Sequence, residues 1–266
     1  MPWLTVGREK GADVDLYYED VGEGPPVLLV AAWPLSQAAW EAQVGALVDA
    51  GLRVVSYDRR GFGRSTRTWA GYEGDAPATD LYLLVEHLGL RGLTVVGYSS
   101  GAAVAARYAV RFGDGRVARV VLASPVVTHP GSALVADLLA ATARHRIAML
   151  DDVLLRFFSV RGETAIDEPT RRHLLHLAAA ASPRATAEVV RAWSAADLRA
   201  DLVRLDVPAL VLHGGEDAFM PFASTGSWVA RTAPDSRTVV IPHAPHGAPL
   251  THPDQWNAAV LDFIAG

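Results

Sequence analysis

A turn from a buried strand into a helix is encoded in Val95-Val96-Gly97-Tyr98-Ser99-Ser100-Gly101-Ala102-Ala103. β-Branched apolar residues stop at the first glycine, and an alanine-rich helical pattern follows the second. A serine in so tight a turn has a strained backbone and an exposed hydroxyl. The chain passes close to itself on both sides of Ser99, so Gly97 and Gly101 supply the small residues needed there. These residues alone fit a plain structural turn equally well, and the rest of the chain must distinguish the two interpretations.

Strand patterns alternate with helical patterns on both sides of this turn. Strands are predicted at residues 13–18, 27–31, 53–57, 93–96, 117–123, 209–213 and 238–241, and helices at 37–50, 79–90, 101–112, 222–233 and from 253. Continuous apolar runs are typical of strands that are buried on both faces. The sequence therefore predicts an α/β fold, with a parallel sheet covered by helices and entered by an antiparallel hairpin.

The alternation stops between residues 127 and 206, where helical patterns occur with almost no strand signal. We interpret residues 127–206 as a helical cap inserted into an α/β core formed by residues 1–126 and 207–266. Such an insertion lies over the carboxyl ends of the strands, where open α/β sheets bind ligands. Four apolar residues of this segment could line a pocket: Met149, Phe157, Phe158 and Trp193. For each of them, a place in the cap's own core is the favoured interpretation.

Composition excludes several classes of protein. The chain has 266 residues, about half of them hydrophobic, which suffices for one large domain with a full core. Its net charge of −5, without a basic run, does not indicate nucleic-acid binding. Without cysteine there are no disulfides, thiolate nucleophiles or cysteine metal sites. Neither a signal peptide nor a membrane-spanning stretch is recognisable, so we expect a cytoplasmic protein without membrane contact and leave open whether it forms a homo-oligomer.

A nucleophilic serine needs a base within hydrogen-bond reach and a carboxylate that orients the base. Asp217 follows the predicted strand at 209–213, and His246 follows the last predicted strand. The order Ser99, Asp217, His246, each just past a strand, is the order expected of a catalytic triad on such a sheet. The alternative, in which Asp217 only shapes its turn, is less favoured once the serine is considered.

Neighbouring residues compete for the acid and base roles. Glu216 adjoins Asp217, but adjacent loop side chains rarely point the same way. His243 competes with His246, which is favoured because it lies deeper in its loop and precedes a glycine that permits close approach. His213 ends a strand and is interpreted as a structural hydrogen-bonding residue. No histidine and carboxylate spacing typical of a metal site occurs, so no metal is expected.

The reaction would also need hydrogen-bond donors for a developing oxyanion. The backbone N–H of Ser100 opens the helix after the nucleophile, and the N–H of Trp33 follows the strand at 27–31. Losing one such donor typically costs roughly 2.7–4 kcal/mol of transition-state stabilisation. Gly61-Phe62-Gly63-Arg64-Ser65 lacks the further residues of a phosphate-binding loop, so we interpret it as a tight structural turn.

Over nearly its whole length the chain resembles the α/β-hydrolase superfamily. The matching pieces are Gly97-Tyr98-Ser99-Ser100-Gly101, Asp58-Arg59-Arg60-Gly61-Phe62-Gly63-Arg64-Ser65, the Asp217 loop and Pro245-His246-Gly247. More narrowly, it is similar to the cofactor-free haloperoxidase, perhydrolase and arylesterase group. That similarity rests on Trp33-Pro34-Leu35-Ser36, the double arginine, and Thr251-His252-Pro253 after His246.

The resemblance implies a mostly parallel eight-stranded sheet flanked by helices, with no cofactor. It also implies that Ser99 is the nucleophile, with Asp217 and His246 as partners and the backbone N–H groups of Trp33 and Ser100 as oxyanion donors. The implied activity is hydrolysis of a small ester-like substrate, with peracid formation as a side activity. A proline at the position of Pro34 is associated with perhydrolysis in that group.

One departure from the family pattern keeps other functions open. Ala31-Ala32 stands where the family usually has His-Gly before the oxyanion residue. The first hypothesis remains a serine hydrolase that cleaves a carboxylic ester or lactone through an acyl-enzyme. A C–C bond hydrolase or a lyase with an altered oxyanion loop is the alternative. A non-catalytic protein that binds small molecules is the third and least favoured.

Overall fold

The computed structural model describes residues 2–127, 131–195 and 198–266. Within these residues eight strands form one sheet, in the order β1-β2-β4-β3-β5-β6-β9-β10, and two short strands form a separate hairpin. The strands are β1 (Trp3–Glu9), β2 (Ala12–Val21), β3 (Pro26–Val30), β4 (Arg53–Tyr57), β5 (Leu93–Tyr98), β6 (Val117–Ala123), β7 (Ser159–Val160), β8 (Glu163–Thr164), β9 (Ala209–Gly214) and β10 (Ser236–Ile241).

The large sheet is parallel except at one edge. Strands β1 and β2 pair antiparallel, and β2 pairs antiparallel with β4. All other neighbours, from β4 through β3, β5, β6 and β9 to β10, pair parallel. The predicted fold class, a mostly parallel eight-stranded sheet entered by an antiparallel hairpin, is therefore confirmed.

Helices cover both faces of this sheet. They are α1 (Glu41–Asp49), α2 (Ala76–Leu88), α3 (Ser100–Phe112), α4 (Ala133–Phe157), α5 (Glu168–Ala180), α6 (Pro183–Ala195), α7 (Leu198–Leu202), α8 (Gly226–Thr232), α9 (Ala248–Thr251) and α10 (Pro253–Ala265). Apolar residues of α2, α3, α7 and α8 pack on one face, and those of α1 and α10 pack on the other. In β3, Leu28 faces the first layer and Leu29 the second, because successive side chains of a strand point to opposite faces.

The helices α4, α5 and α6 lie between β6 and β9 in sequence, and α4 packs against both α5 and α6. Their apolar residues form a third cluster with Trp33, Phe62 and Phe219 from loops of the core. The short helix α7 instead packs against α3 and α8. The division into a core and a cap remains a prediction, and Met1, residues 128–130 and residues 196–197 lie outside the described residues.

Several element boundaries differ from those expected from the sequence. The helix predicted at 37–50 is divided into a 3-10 turn at Gln37–Trp40 and α1. Helix α2 begins at Ala76 rather than at residue 79, because Pro77 is accommodated in the first helical turn, where no N–H donor is needed. Strand β1 and the hairpin of β7 and β8 were not predicted. Among the described residues, no helix combines the length and apolarity that crossing a membrane requires.

Candidate active site

Ser99 lies at the junction of β5 and α3 with a backbone that non-glycine residues rarely adopt. Its φ is 55° and its ψ is −116°, the strained backbone expected of the turn, but the residue is buried, so the expected exposure of the hydroxyl is wrong. A Cβ atom on Gly97 would come within 3.0 Å of the Gly101 carbonyl oxygen, and one on Gly101 would come within 3.0 Å of the Val30 carbonyl oxygen. Both glycines are therefore required by close backbone contacts, as the turn in the sequence predicted.

Asp217 follows β9, and both of its carboxylate oxygens are occupied. Oδ1 accepts hydrogen bonds from the backbone N–H groups of Phe219, at 3.0 Å, and Met220, at 2.7 Å. Oδ2 lies 2.7 Å from Nδ1 of His246 and 3.2 Å from Nε2 of His213. Burial raises the pKa of Asp217, but the charge on His246, the nearby imidazole of His213 and the hydrogen bond from His246 hold it well below its usual range.

His246 follows β10 and connects the acid to the serine. An ionised carboxylate only accepts hydrogen bonds, so Nδ1 of His246 carries the proton that is donated to Asp217. In the neutral imidazole Nε2 is then an acceptor, and it lies 3.0 Å from Oγ of Ser99. The rings of Phe157 and Phe219 pack on the imidazole, with centroids 4.4 and 5.2 Å away. The structure thus brings Ser99, His246 and Asp217 together.

The competing residues point elsewhere. Glu216 lies 2.6 Å from Arg161 at the surface, and the side chain of His243 is 80% exposed. His213 donates from Nε2 to the carbonyl oxygen of Met220 at 2.8 Å, as a structural residue would. The contact of His213 with Asp217 was not predicted. The signal that could have indicated it is the position of His213 at the end of the strand, four residues before the acid.

The two predicted oxyanion donors differ in this structure. Ser100 begins α3, and the first N–H groups of a helix have no acceptor inside it. The N–H of Trp33 instead donates to Oγ of Ser100 at 2.9 Å. The indole of Trp33 donates to the carbonyl oxygen of Thr186, which fixes the loop against α6. Of the two N–H groups predicted to bind an oxyanion, that of Trp33 is therefore already hydrogen-bonded to the Ser100 hydroxyl.

The turn after β4 is organised by Asp58. Its carboxylate accepts hydrogen bonds from the backbone N–H groups of Gln37 and Arg64, both at 2.8 Å. A Cβ atom on Gly63, whose φ is +48°, would collide with the same carboxylate. Residues 61–65 thus form a structural turn, as predicted. Arg60 pairs with Asp80 through two hydrogen bonds, whereas Arg59 is buried.

Two cavities lie near these residues, and Ser99, Asp217 and His246 line neither of them. The larger, of about 130 Å³, is lined by Arg59, Ser100 and Trp193 among others. The smaller, of about 20 Å³, is lined by both alanines of Ala31-Ala32 together with Phe158. Of the four apolar residues singled out in the sequence, Trp193 and Phe158 line cavities, Phe157 packs on His246, and Met149 is buried in the cluster of α4, α5 and α6.

Comparisons with known proteins define the family. Residues 25–182, more than half of the chain, match the family model described as the alpha/beta hydrolase fold. A non-heme haloperoxidase of Rhodococcus erythropolis is 32% identical, with 99% of each chain covered. A bifunctional esterase/perhydrolase of Acinetobacter calcoaceticus is 32% identical over 94% of this chain and 96% of its own. The crystal structure of a bromoperoxidase from Bacillus anthracis superposes with a TM-score of 0.95 at 36% identity, covering 99% of each chain.

The chain therefore belongs to the alpha/beta hydrolase family. The predicted family, fold class and enzyme class are confirmed, and the relatives come from the haloperoxidase, perhydrolase and esterase group that the sequence resembled. Among the described residues, no group of three or more histidine and carboxylate side chains is arranged to hold a metal ion.

Proposed function

We propose that this protein is a serine hydrolase that cleaves a small carboxylic ester or lactone through an acyl-enzyme. The observation that carries the proposal is a chain of two hydrogen bonds. Oγ of Ser99 lies 3.0 Å from Nε2 of His246, and Nδ1 of His246 lies 2.7 Å from Oδ2 of Asp217. These distances lie in the range required of a nucleophile, its general base and the group that orients the base. All three side chains are buried, which strengthens the electrostatic interactions between them.

In the proposed reaction, Nε2 of His246 takes the proton of the Ser99 hydroxyl while Oγ attacks the ester carbonyl carbon. The imidazolium that forms is stabilised by Asp217, which stays ionised. His246 then returns the proton to the departing alcohol oxygen, which leaves an acyl group on Ser99. A water molecule, deprotonated by His246, then attacks the acyl carbon, and His246 returns this proton to Oγ of Ser99 as the carboxylic acid leaves.

The developing oxyanion is assigned to the backbone N–H groups of Ser100 and Trp33. The first is favoured by its place at the positive end of the α3 dipole. The second becomes available when the Ser100 hydroxyl, which accepts it in this structure, rotates away. The peptide bond that joins Trp33 to Pro34 is cis.

A perhydrolase side activity is part of the proposal. If hydrogen peroxide replaces water in the second half-reaction, the acyl group leaves Ser99 as a peracid and the proton returns to the serine through His246. The bifunctional esterase/perhydrolase and the haloperoxidase among the relatives support this extension, as does Pro34.

Labelling and turnover test the proposal together. The protein is treated with a fluorophosphonate and digested, and the adduct is located by mass spectrometry, while hydrolysis is followed with p-nitrophenyl esters of graded acyl length. We expect the adduct on Ser99, ester turnover in the wild type, and loss of both in Ser99→Ala. Ser124→Ala, at the buried serine directly after β6, is the matched control that retains both. A folded wild type that is neither labelled nor active contradicts the proposal, and labelling without ester turnover favours the C–C hydrolase or lyase alternative.

A further inference from the structure

Arg59 is a buried cation without an anionic partner. Its residue is 8% exposed, and its Nη2 donates to Oγ of Ser100 at 3.3 Å. The guanidinium lies over the ring of Phe62, with its carbon 5.0 Å from the ring centroid. Its Nε is buried and donates to no acceptor among the described residues, and no described carboxylate forms an ion pair with it.

Such an arrangement is costly, because a charge removed from water needs a compensating charge or a full set of hydrogen bonds. Burial lowers the pKa of Arg59 to about 10, so the guanidinium stays protonated at neutral pH. One neutral hydroxyl and one aromatic ring do not satisfy its five N–H groups. Uncompensated buried charges of this kind are concentrated at functional sites.

Two other arginines that line the same cavity show the contrast. Arg60 is held by Asp80 through hydrogen bonds of 2.7 and 2.6 Å, and Arg107 is held by Asp201 at 2.7 Å. Their charges are balanced by these carboxylates. The remaining carboxylate in the lining, Glu73, is exposed. Arg59 is therefore the cation of this lining that is buried without a described carboxylate to balance it.

The rest of the lining is suited to an apolar group. The cavity of about 130 Å³ is bounded by Phe62 and Tyr72 from the core loops, by Ala103 and Val104 of α3, and by Trp193 of α6. Ser100 lines the cavity as well, and it directly follows the proposed catalytic serine in the chain. Ser99 itself is not part of the lining.

We propose that this cavity is a binding site for a small organic monocarboxylate, separate from the catalytic triad. Arg59 receives the carboxylate through charge-assisted hydrogen bonds, for which a guanidinium with free N–H groups is well suited. The aliphatic or aromatic part of the acid packs between Phe62 and Trp193. The bound acid supplies the negative charge that no described residue supplies to Arg59.

Isothermal titration calorimetry with benzoate tests the site, and benzamide serves as the neutral analogue of similar shape. The titrations use Ser99→Ala protein, so the result depends neither on turnover nor on the proposed role of Ser99. We expect benzoate to bind and benzamide to bind at least about tenfold more weakly, because only benzoate has the charge that Arg59 recognises.

Three further variants, each combined with Ser99→Ala, locate the site. Arg59→Gln is expected to weaken benzoate binding at least about tenfold, and Arg64→Gln, a half-exposed arginine of the same turn, to leave it unchanged. Ala103→Phe fills the cavity without touching the charge and is expected to remove binding, which decides the matter if Arg59→Gln does not fold. Absent benzoate binding, equal binding of benzamide, or full benzoate binding in a folded Arg59→Gln or Ala103→Phe protein overturns the proposal.

Discussion

The imidazoles of His213 and His246 both face one carboxylate oxygen of Asp217, but only His246 donates a hydrogen bond to it, because the Nε2–H of His213 is donated to the carbonyl oxygen of Met220. Oδ2 lies 3.2 Å from Nε2 of His213 and 2.7 Å from Nδ1 of His246. The other oxygen is held by the N–H groups of Phe219 and Met220. Contacts other than the one with the proposed general base thus hold both oxygens of the carboxylate in place. His213 is a positioning residue, because it contacts the acid and not the serine.

Replacing His213 by leucine is expected to lower kcat by about tenfold or more while KM changes little. The variant removes the imidazole beside the ionised Oδ2 and the hydrogen bond that His213 donates to the Met220 carbonyl oxygen, a loss of about 1–3 kcal/mol. Without the His213 imidazole the pKa of Asp217 rises, so less of the stability that Asp217 contributes is expected to remain in acid. His243→Leu, at an exposed histidine, is the control. Equal kcat in the two folded variants would contradict a positioning role for His213.

Asp217→Asn tests the acid itself. An asparagine in this position favours the wrong tautomer of His246, with the proton on Nε2, where the serine proton should be accepted. The corresponding change in serine proteases lowers kcat by about 10⁴-fold, and we expect a loss of that order in ester turnover. Glu216→Gln, at the surface residue paired with Arg161, is expected to retain nearly full activity. If Glu216→Gln causes the larger loss, the acid has been assigned to the wrong residue.

The pKa of Asp217 also predicts how stability depends on pH. The folded state holds this pKa well below the value of about 3.9 typical of an unfolded chain. Between the two values the unfolded state binds more protons, so the stability from Asp217 is complete above about pH 3.9 and is lost as the pH falls towards the folded value. The difference in melting temperature between wild type and Asp217→Asn should therefore shrink between about pH 6 and about pH 3.

Thermal melts followed by circular dichroism measure this difference. Asp49→Asn, at an exposed aspartate of α1, is the control for the general effect of removing a carboxylate. A difference between wild type and Asp217→Asn that stays constant or grows in acid would contradict the assigned direction of the pKa shift.

The glycines on either side of Ser99 should not tolerate replacement by alanine. An alanine at Gly97 or Gly101 would place a Cβ atom against the backbone, which cannot move as a flexible side chain can. We expect each variant to lower the free energy of unfolding by about 3 kcal/mol or more. Gly45→Ala, where a Cβ has open space in α1, should instead raise it by about 0.5–1 kcal/mol. Denaturant titration distinguishes these outcomes, and a stable Gly101→Ala protein would contradict the close approach to Val30.

The sequence predicted best those site residues whose location is set by where a strand ends. Ser99, Asp217 and His246 each follow a strand, and the carboxyl ends of parallel strands meet at one edge, so their convergence was predictable. Side-chain direction is not contained in such a pattern. The contact of His213 with Asp217 and the burial of Arg59 without a carboxylate depend on which way each side chain points, and only the packed structure shows them.

The Ser100 hydroxyl accepts the hydrogen bond of the Trp33 N–H, which we assign to the oxyanion. Ser100→Ala frees this donor, so the rate of fluorophosphonate labelling at Ser99 is expected to rise, by up to about tenfold, less than the value of a complete oxyanion donor. The same change removes the hydroxyl that Arg59 contacts, so the melting temperature is expected to fall. Ser100→Thr keeps an oxygen at this position and should behave as the wild type. Labelling that is no faster in a folded Ser100→Ala protein would show that the Trp33 N–H is not limiting, and would direct the search for a second donor elsewhere in the loop.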